Sequence, residues 1–476
     1  MPVVVCSLLA GFCGLLNLQE LDLQENMFNG NIPECFNTLS SLKMFDISSN
    51  LFTGTLSPSL MANLTSLQYV DFSYNKFEGP FSFSSFSNHT KLKLKVLVLS
   101  NCNINRAKGN VFPSFLVKQH KLQVLDMSHN SMKGQLPNWV IKHNPMLEVL
   151  ILRNNLFYGT IMLFRTNHNI RLFDLSGNLL TGVIPKFIQR FLPGISHLDL
   201  SSNSLDGVIP SSIGDMSELN VLDLSNNKLC GEVPSGLIAN NSRLLYTVKL
   251  SNNKLHGEVL SGNFSLDGIW NLHLDNNNFT GNIGNLAITG SLGLLDISNN
   301  FFTGLIPSWI SNVSIISELV LRNNSLEGPF PCGTTSFTFL DISENLLSGP
   351  IPSCLNTRRL EHLHLGSNSF TGPIPDSFRN LTKVLTLDLS NNYLSGEIPS
   401  FFGKLSNLII LLLRENNLMG SIPKQLCQLT NVSLLDLSNN SLSGSIPSCL
   451  HNITGPSYQA FVQESTALSH APSFYS

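Results

Sequence analysis

Apolar and polar positions alternate along this chain in a short frame whose cleanest copy runs Leu387-Asp388-Leu389-Ser390-Asn391-Asn392, followed by Gly396, Ile398 and Pro399. Alternation of period two is that of a strand with one buried face. Leu387 and Leu389 are expected to point inward, and Thr386, Asp388 and Ser390 outward. Gly396 suits a turn that needs positive φ, and Pro399 an extended return that requires no ladder N–H. Phe402, Leu405 and Leu408 then close the core. Asn392 is expected to be buried, because its amide offers two donors and an acceptor to the backbone where the chain leaves the strand.

With Asn392 as anchor, the frame fits 17 Asn positions from Asn26 to Asn440, and Cys102 takes the Asn place in one more copy. The 414 residues between the outer anchors make 17 intervals with a mean near 24. That period lies in the leucine-rich-repeat range and below the helical repeats. The fold class expected is a leucine-rich-repeat solenoid, α/β by convention, with short parallel strands and an irregular or 3-10 convex side. About 18 repeats would stack into a curved superhelix, each coil stable only against its neighbours. Residues 1–17 form a partial coil with its N-terminal cap missing, 18–451 the solenoid, and 452–476 a non-repeat tail without apolar period. The apolar start could be mistaken for a signal peptide, but it lacks a charged n-region, and Phe12, Leu15 and Leu18 fall where Phe36, Leu39 and Leu42 fall one coil later.

The form LxxLxLxxNxLxGxIP resembles the plant-specific subclass of leucine-rich repeats. The block Leu97 to Asn155, with Cys102 as anchor and intervals of 27 and 28 residues, is similar to ectodomains of plant leucine-rich-repeat receptor-like proteins. Members of that family carry a cysteine cap, many repeats, a non-repeat island, further repeats, one membrane helix and a short tail without a kinase. The resemblance implies that 452–476 is the start of an island, and that this chain is a fragment or a truncated gene model.

Charged residues are 12% of the chain and its net charge is −3, roughly half the usual charged share. The balance gives no sign of a nucleic-acid partner. No apolar run is long enough to span a bilayer, so membrane attachment would come only through a missing C-terminal helix.

Three cysteine pairs recur 22 residues apart: Cys13 with Cys35 and Cys427 with Cys449 at matching frame positions, and Cys332 with Cys354 at the same spacing. Neighbouring coils lie about 5 Å apart, within disulfide reach, so three inter-coil disulfides and an oxidising compartment are expected. Cys102 and Cys230 are expected as buried thiols, and Cys6 as unpartnered. Among the glycosylation sequons, Asn63, Asn312, Asn380, Asn431 and Asn452 lie on the return side, where a glycan could point outward. Asn323 and Asn439, beside the ladder Asn, are disfavoured.

No enzyme is expected, since GxGxxG before a helix, GxxxxGK[ST], HExxH and GxSxG in context are absent; no cofactor is implied. The Asp four places before the anchor, as at Asp46, Asp174 and Asp388, is expected to be a solvated structural residue. Ligand contacts are expected where outward strand positions break consensus on the concave sheet: Arg153, Asp275, Arg322 and Arg414 in place of Ser, and His273, His362 and His364. Drift on an exposed face, or pairing such as Glu318 with Arg322, is the competing reading. A metal at His362 and His364 is not expected, because two ligands are too few.

The resemblance implies the extracellular recognition region of a receptor at the cell membrane, in defence or developmental signalling. It would bind a peptide, glycan or protein and act through a partner receptor kinase. The alternatives are a secreted inhibitor of a cell-wall-degrading enzyme, and a non-functional truncated product.

Overall fold

The computed structural model describes residues 10–56, 58–61, 63–77, 92–103, 112–163, 169–239, 244–260, 266, 268–284, 292–312, 315–333, 336–355, 358–453 and 455. Residues 81–91 of the Ser- and Phe-rich stretch 81–95, the tail 456–476, Cys6 and the sequons at Asn88, Asn240 and Asn263 lie outside these residues. The chain divides into two compact units, 1–255 and 256–476.

In the first unit, three-residue strands from Glu20–Asp22 to Thr247–Lys249 pair in chain order as a parallel ladder. In the second, strands from Asn271–His273 to Leu434–Asp436 do the same. Among the described residues these ladders hold ten and eight strands. Equivalent residues face each other: Asp174 stands opposite Asp199, and Leu363 opposite Leu387. Frame position thus becomes a column running across the coils. Leu387, Leu389, Phe402, Leu405 and Leu408 are buried as their period requires, and Ser400–Lys404 forms a 3-10 turn on the return side.

A second parallel ladder follows the Asn anchors and was not predicted. In the second unit it runs from Asn278–Asn282 to Ser441–Leu442. Gly396 has the positive φ expected of it, +82°, yet lies inside the strand Tyr393–Glu397 instead of in a turn. Glycine permits that bend while its backbone still pairs.

The anchor Asn joins coil to coil. Asn50 Nδ2 donates to the carbonyls of Leu23, Ile47 and Ser48 at 2.8, 3.2 and 3.0 Å, and its Oδ1 accepts the N–H of Phe28 at 3.0 Å. Cys102 replaces this with a weaker set: its thiol donates to Phe72 O, and its own N–H goes to Asn130 Oδ1. Burial raises that thiol's pKa well above its ordinary value.

Part of the Asp column departs from expectation, while Asp22 is exposed. Ser48 donates both N–H and Oγ–H to Asp46 Oδ1 at 2.9 and 2.7 Å, and Ser390 does the same to Asp388. Asp46, Asp174, Asp341 and Asp388 are buried, not solvated. The reason is local: the carboxylate caps the turn two residues on, as in an Asx turn. Thr386, Asp388 and Ser390, expected to point into solvent, are also buried.

Disulfides join Cys13 to Cys35, Cys332 to Cys354, and Cys427 to Cys449, with Cα separations of 5.5, 5.7 and 5.6 Å. Cys102 is a buried free thiol, whereas Cys230, expected to be buried, is half-exposed. No helix among the described residues is long and apolar enough to cross a membrane.

Candidate functional site

The outward face of each ladder strand presents its Asp–Ser cap, so a departure from consensus removes a cap and frees a position for other chemistry. Three kinds of departure involve the candidate residues; Val98 and Lys249 also replace the Asp of a cap, and Lys249 lies 3.6 Å from Asp223.

In the first, Arg replaces the capping Ser and an apolar residue replaces the Asp: Ile151 with Arg153, Val320 with Arg322, Leu412 with Arg414. With no Asp at the cap place of its own coil, each guanidinium faces a carboxylate one coil on. Arg153 lies 3.8 Å from Asp174. Arg322 makes a 2.7 Å ion pair with Glu344 one coil on, whereas the competing reading had paired it with Glu318 on its own coil. Glu344 holds a left-handed φ of +55°, at a turn where Asn more often stands, and such a conformation is costly for a residue without the short polar side chain of Asn. Asp436 is held below its ordinary value by the Ser438 hydroxyl, with Arg414 adding to the effect.

In the second, His362 and His364 sit on one strand and reach the same hydroxyl on the next. His362 Nδ1 and His364 Nε2 each lie 2.8 Å from Thr386 Oγ1. On the other side His364 Nδ1 lies 3.6 Å from Asp341 Oδ2, and the Phe339 ring packs on both imidazoles at 5.3 and 5.6 Å. Burial works against the Asp341 carboxylate, but its contacts with His364 and Ser343 outweigh it and hold the group below its ordinary value. Burial and then the neighbouring His364 push His362 down to about 4. His364 is only 3% exposed. As a direct ligand contact it is therefore corrected: it supports the surface from beneath, and His362 is the member that reaches solvent. This network is also what covers Thr386.

In the third, His273 and Asp275 replace both members of one cap. His273 stands opposite Asp296 in the ladder register, and the three side chains converge. Burial and the Asp275 carboxylate push Asp296 up to about 7.

His273, Asp275, Arg322, His362 and Arg414 thus share the outward ladder face of the second unit, while Arg153 stands on that of the first. Their partners Asp174, Asp296, Asp341, Glu344 and Thr386 were missed, although each falls one coil away at a readable frame position. Among the described residues a cleft of about 490 Å³, lined in part by Phe112, Trp139, Phe157, Lys133 and His143, lies on the return side of the first unit. It touches none of the ladder-face residues.

Of the return-side sequons, Asn63 and Asn431 are exposed and Asn380 is half-buried. Asn431 Nδ2 donates to Ser406 O at 2.9 Å. The side chains of Asn312 and Asn452 lie outside the description.

Leucine rich repeat family models match residues 16–77 and 164–229, and a second such model matches 121–142, 291–313, 359–381, 383–405 and 431–453. Receptor-like protein 14 of Arabidopsis thaliana is 40% identical over 431 residues, covering 79% of this chain and 41% of that protein. The chain spans less than half the length of the curated relatives it matches. Among solved structures, the Arabidopsis receptor kinase HAESA, in complex with the peptide hormone IDA and the co-receptor SERK1, aligns with a TM-score of 0.80 at 30% identity, over 93% of this chain and 74% of that one. The plant peptide hormone receptor RGFR1 in complex with RGF2 aligns with a TM-score of 0.80 at 27% identity, over 93% and 74%.

Proposed function

This chain belongs to the plant leucine-rich-repeat receptor-like proteins, and from that premise we propose that it is the extracellular recognition region of a cell-membrane receptor that binds a peptide and signals through a partner receptor kinase. Binding, not catalysis, is its task. The observation that carries this reading is the set of ladder-face departures in the second unit, where Arg322 and Arg414 replace the capping Ser and His362 stands two residues before the cap place taken by His364, side chains able to engage a ligand.

Arg322 and Arg414 lie four coils apart, roughly 19 Å at the strand spacing, which about six extended peptide residues would span. A guanidinium offers a planar fork to carboxylates, so the ligand expected is an extended peptide with acidic groups or a free C-terminus at that separation. The solved relatives bound to peptide hormones support a peptide over a glycan. Defence and development are both served by such receptors, and the test addresses the ligand class first. The disulfide-intact chain, immobilised, is to be surveyed by surface plasmon resonance against synthetic secreted plant peptides and cell-wall oligosaccharides. Saturable binding of a peptide supports the reading; binding of oligosaccharides alone overturns it.

A further inference from the structure

Among the described residues, His273, Asp275 and Asp296 form a place where three side chains of metal-ligand chemistry meet. One imidazole nitrogen and two carboxylate oxygens all lie within 4.8 Å of one another. The ladder builds this triangle. His273 and Asp296 are directly paired across adjacent strands, and Asp275, two residues beyond His273, falls on the same face by the strand period. Both strands are anchored by buried leucines, Leu272 and Leu295, so the ligands sit on rigid backbone.

The sequence change behind the triangle is specific. In the consensus cap the later residue is a Ser that donates to the earlier Asp. In this copy the hydroxyl donor has become a second carboxylate and the Asp has become an imidazole. Each carboxylate is also held from the side: Asn276 Nδ2 donates to Asp275 Oδ2 at 2.6 Å, and Ser298 donates N–H and Oγ–H to Asp296 Oδ1 at 2.9 and 2.7 Å. Hydrogen bonds of this kind orient the ligands of protein metal sites.

We propose that His273, Asp275 and Asp296 bind a divalent cation, Zn²⁺ or Mn²⁺, on the outward ladder face of the second unit. One nitrogen and two oxygens suit these ions better than Ca²⁺, which takes oxygen alone, or Cu⁺, which takes sulfur. Two carboxylates balance the ion's charge. Ligand atoms around Zn²⁺ lie roughly 3.3 Å apart, so small side-chain rotations close the triangle. Three protein ligands leave coordination open toward solvent, where water or a carboxylate from outside completes it. The site stands whether or not the peptide reading holds.

The test is isothermal titration calorimetry of the tag-free, metal-stripped, disulfide-intact chain with ZnCl₂ and MnCl₂. The key variant combines His273→Asp with Asp275→Ser, which restores the pair that other copies carry and so keeps the fold; thermal melts of both proteins verify this. One equivalent of metal is expected to bind the natural chain. The variant is expected to weaken binding by more than about tenfold, the loss that even an outer hydrogen-bond partner costs. Absence of stoichiometric binding to the natural chain, or equal binding to a folded variant, overturns the site.

Discussion

Asn392 Oδ1 accepts the backbone N–H of Phe370, 22 residues earlier, at 2.9 Å. The same amide donates to Leu365, Leu389 and Ser390 carbonyls, so one buried side chain satisfies backbone groups of two coils. Asn392→Ala leaves those groups unpaired, each costing about 1–3 kcal/mol. A destabilisation of about 2–4 kcal/mol is expected, read as a lower urea midpoint. An unchanged midpoint contradicts the ladder account.

The converse holds at Cys102, where the chain lacks an Asn. Cys102→Asn is expected to raise the urea midpoint, by roughly 1 kcal/mol of stability, because the amide adds bonds that the thiol cannot make. In the natural protein, burial also shields this thiol. Iodoacetamide followed by peptide mapping should label Cys230 before Cys102; the reverse order would show that the coil opens there.

The disulfides Cys332–Cys354 and Cys427–Cys449 each close a loop of separation 22, which in the chain-entropy account contributes about 3 kcal/mol. Replacing both Cys332 and Cys354 with Ser should lower stability by about that amount. The measurement is denaturation with and without reductant, and the reductant effect should be smaller in the variant.

Acid should loosen the histidine network. The folded-state pKa of His362, about 4, lies below its ordinary 6.5. The unfolded chain therefore takes up a proton as pH falls through 6.5 while the folded chain does not. The associated stability is complete above 6.5 and is lost progressively down to about 4, by up to roughly 3 kcal/mol. The neighbouring groups are His364, Thr386, Phe339 and Asp341. Asp341, held below its ordinary value, adds loss in the same direction at lower pH. Melting temperatures from pH 7 to pH 4 should fall more steeply for the natural chain than for His362→Asn; parallel curves contradict the assignment.

The repeat was legible because its signals are local. Asn392, Gly396 and Leu389 stand at fixed places in a frame of a few residues, although the bonds of Asn392 reach 22 and 27 residues back. The second ladder was not, because Ser395 and Gly396 read as turn chemistry while their pairing is made with Asn417 and Leu418 one coil on. The buried state of Asp388 was hidden for a related reason: a polar residue on an alternating strand reads as solvated unless its capping Ser390 and the register that sets His364 opposite it are seen together. Site residues followed the same rule. His273 and Asp275 are neighbouring departures along the chain, and only the register places Asp296 opposite His273. Columns 21 to 28 residues apart, not neighbours in sequence, hold the information.

The central claim is that a ligand is read by the outward face of the strand ladder Asn271–His273 to Leu434–Asp436 in the second unit. The most direct measurement is the affinity of the peptide selected in the binding survey for Arg322→Ser/Arg414→Ser, which restores the residue that most other copies carry and so leaves the coils intact. The account predicts a loss of at least tenfold, about 1.4 kcal/mol, with the urea midpoint little changed. Equal affinity for the natural chain and the folded double variant would contradict it.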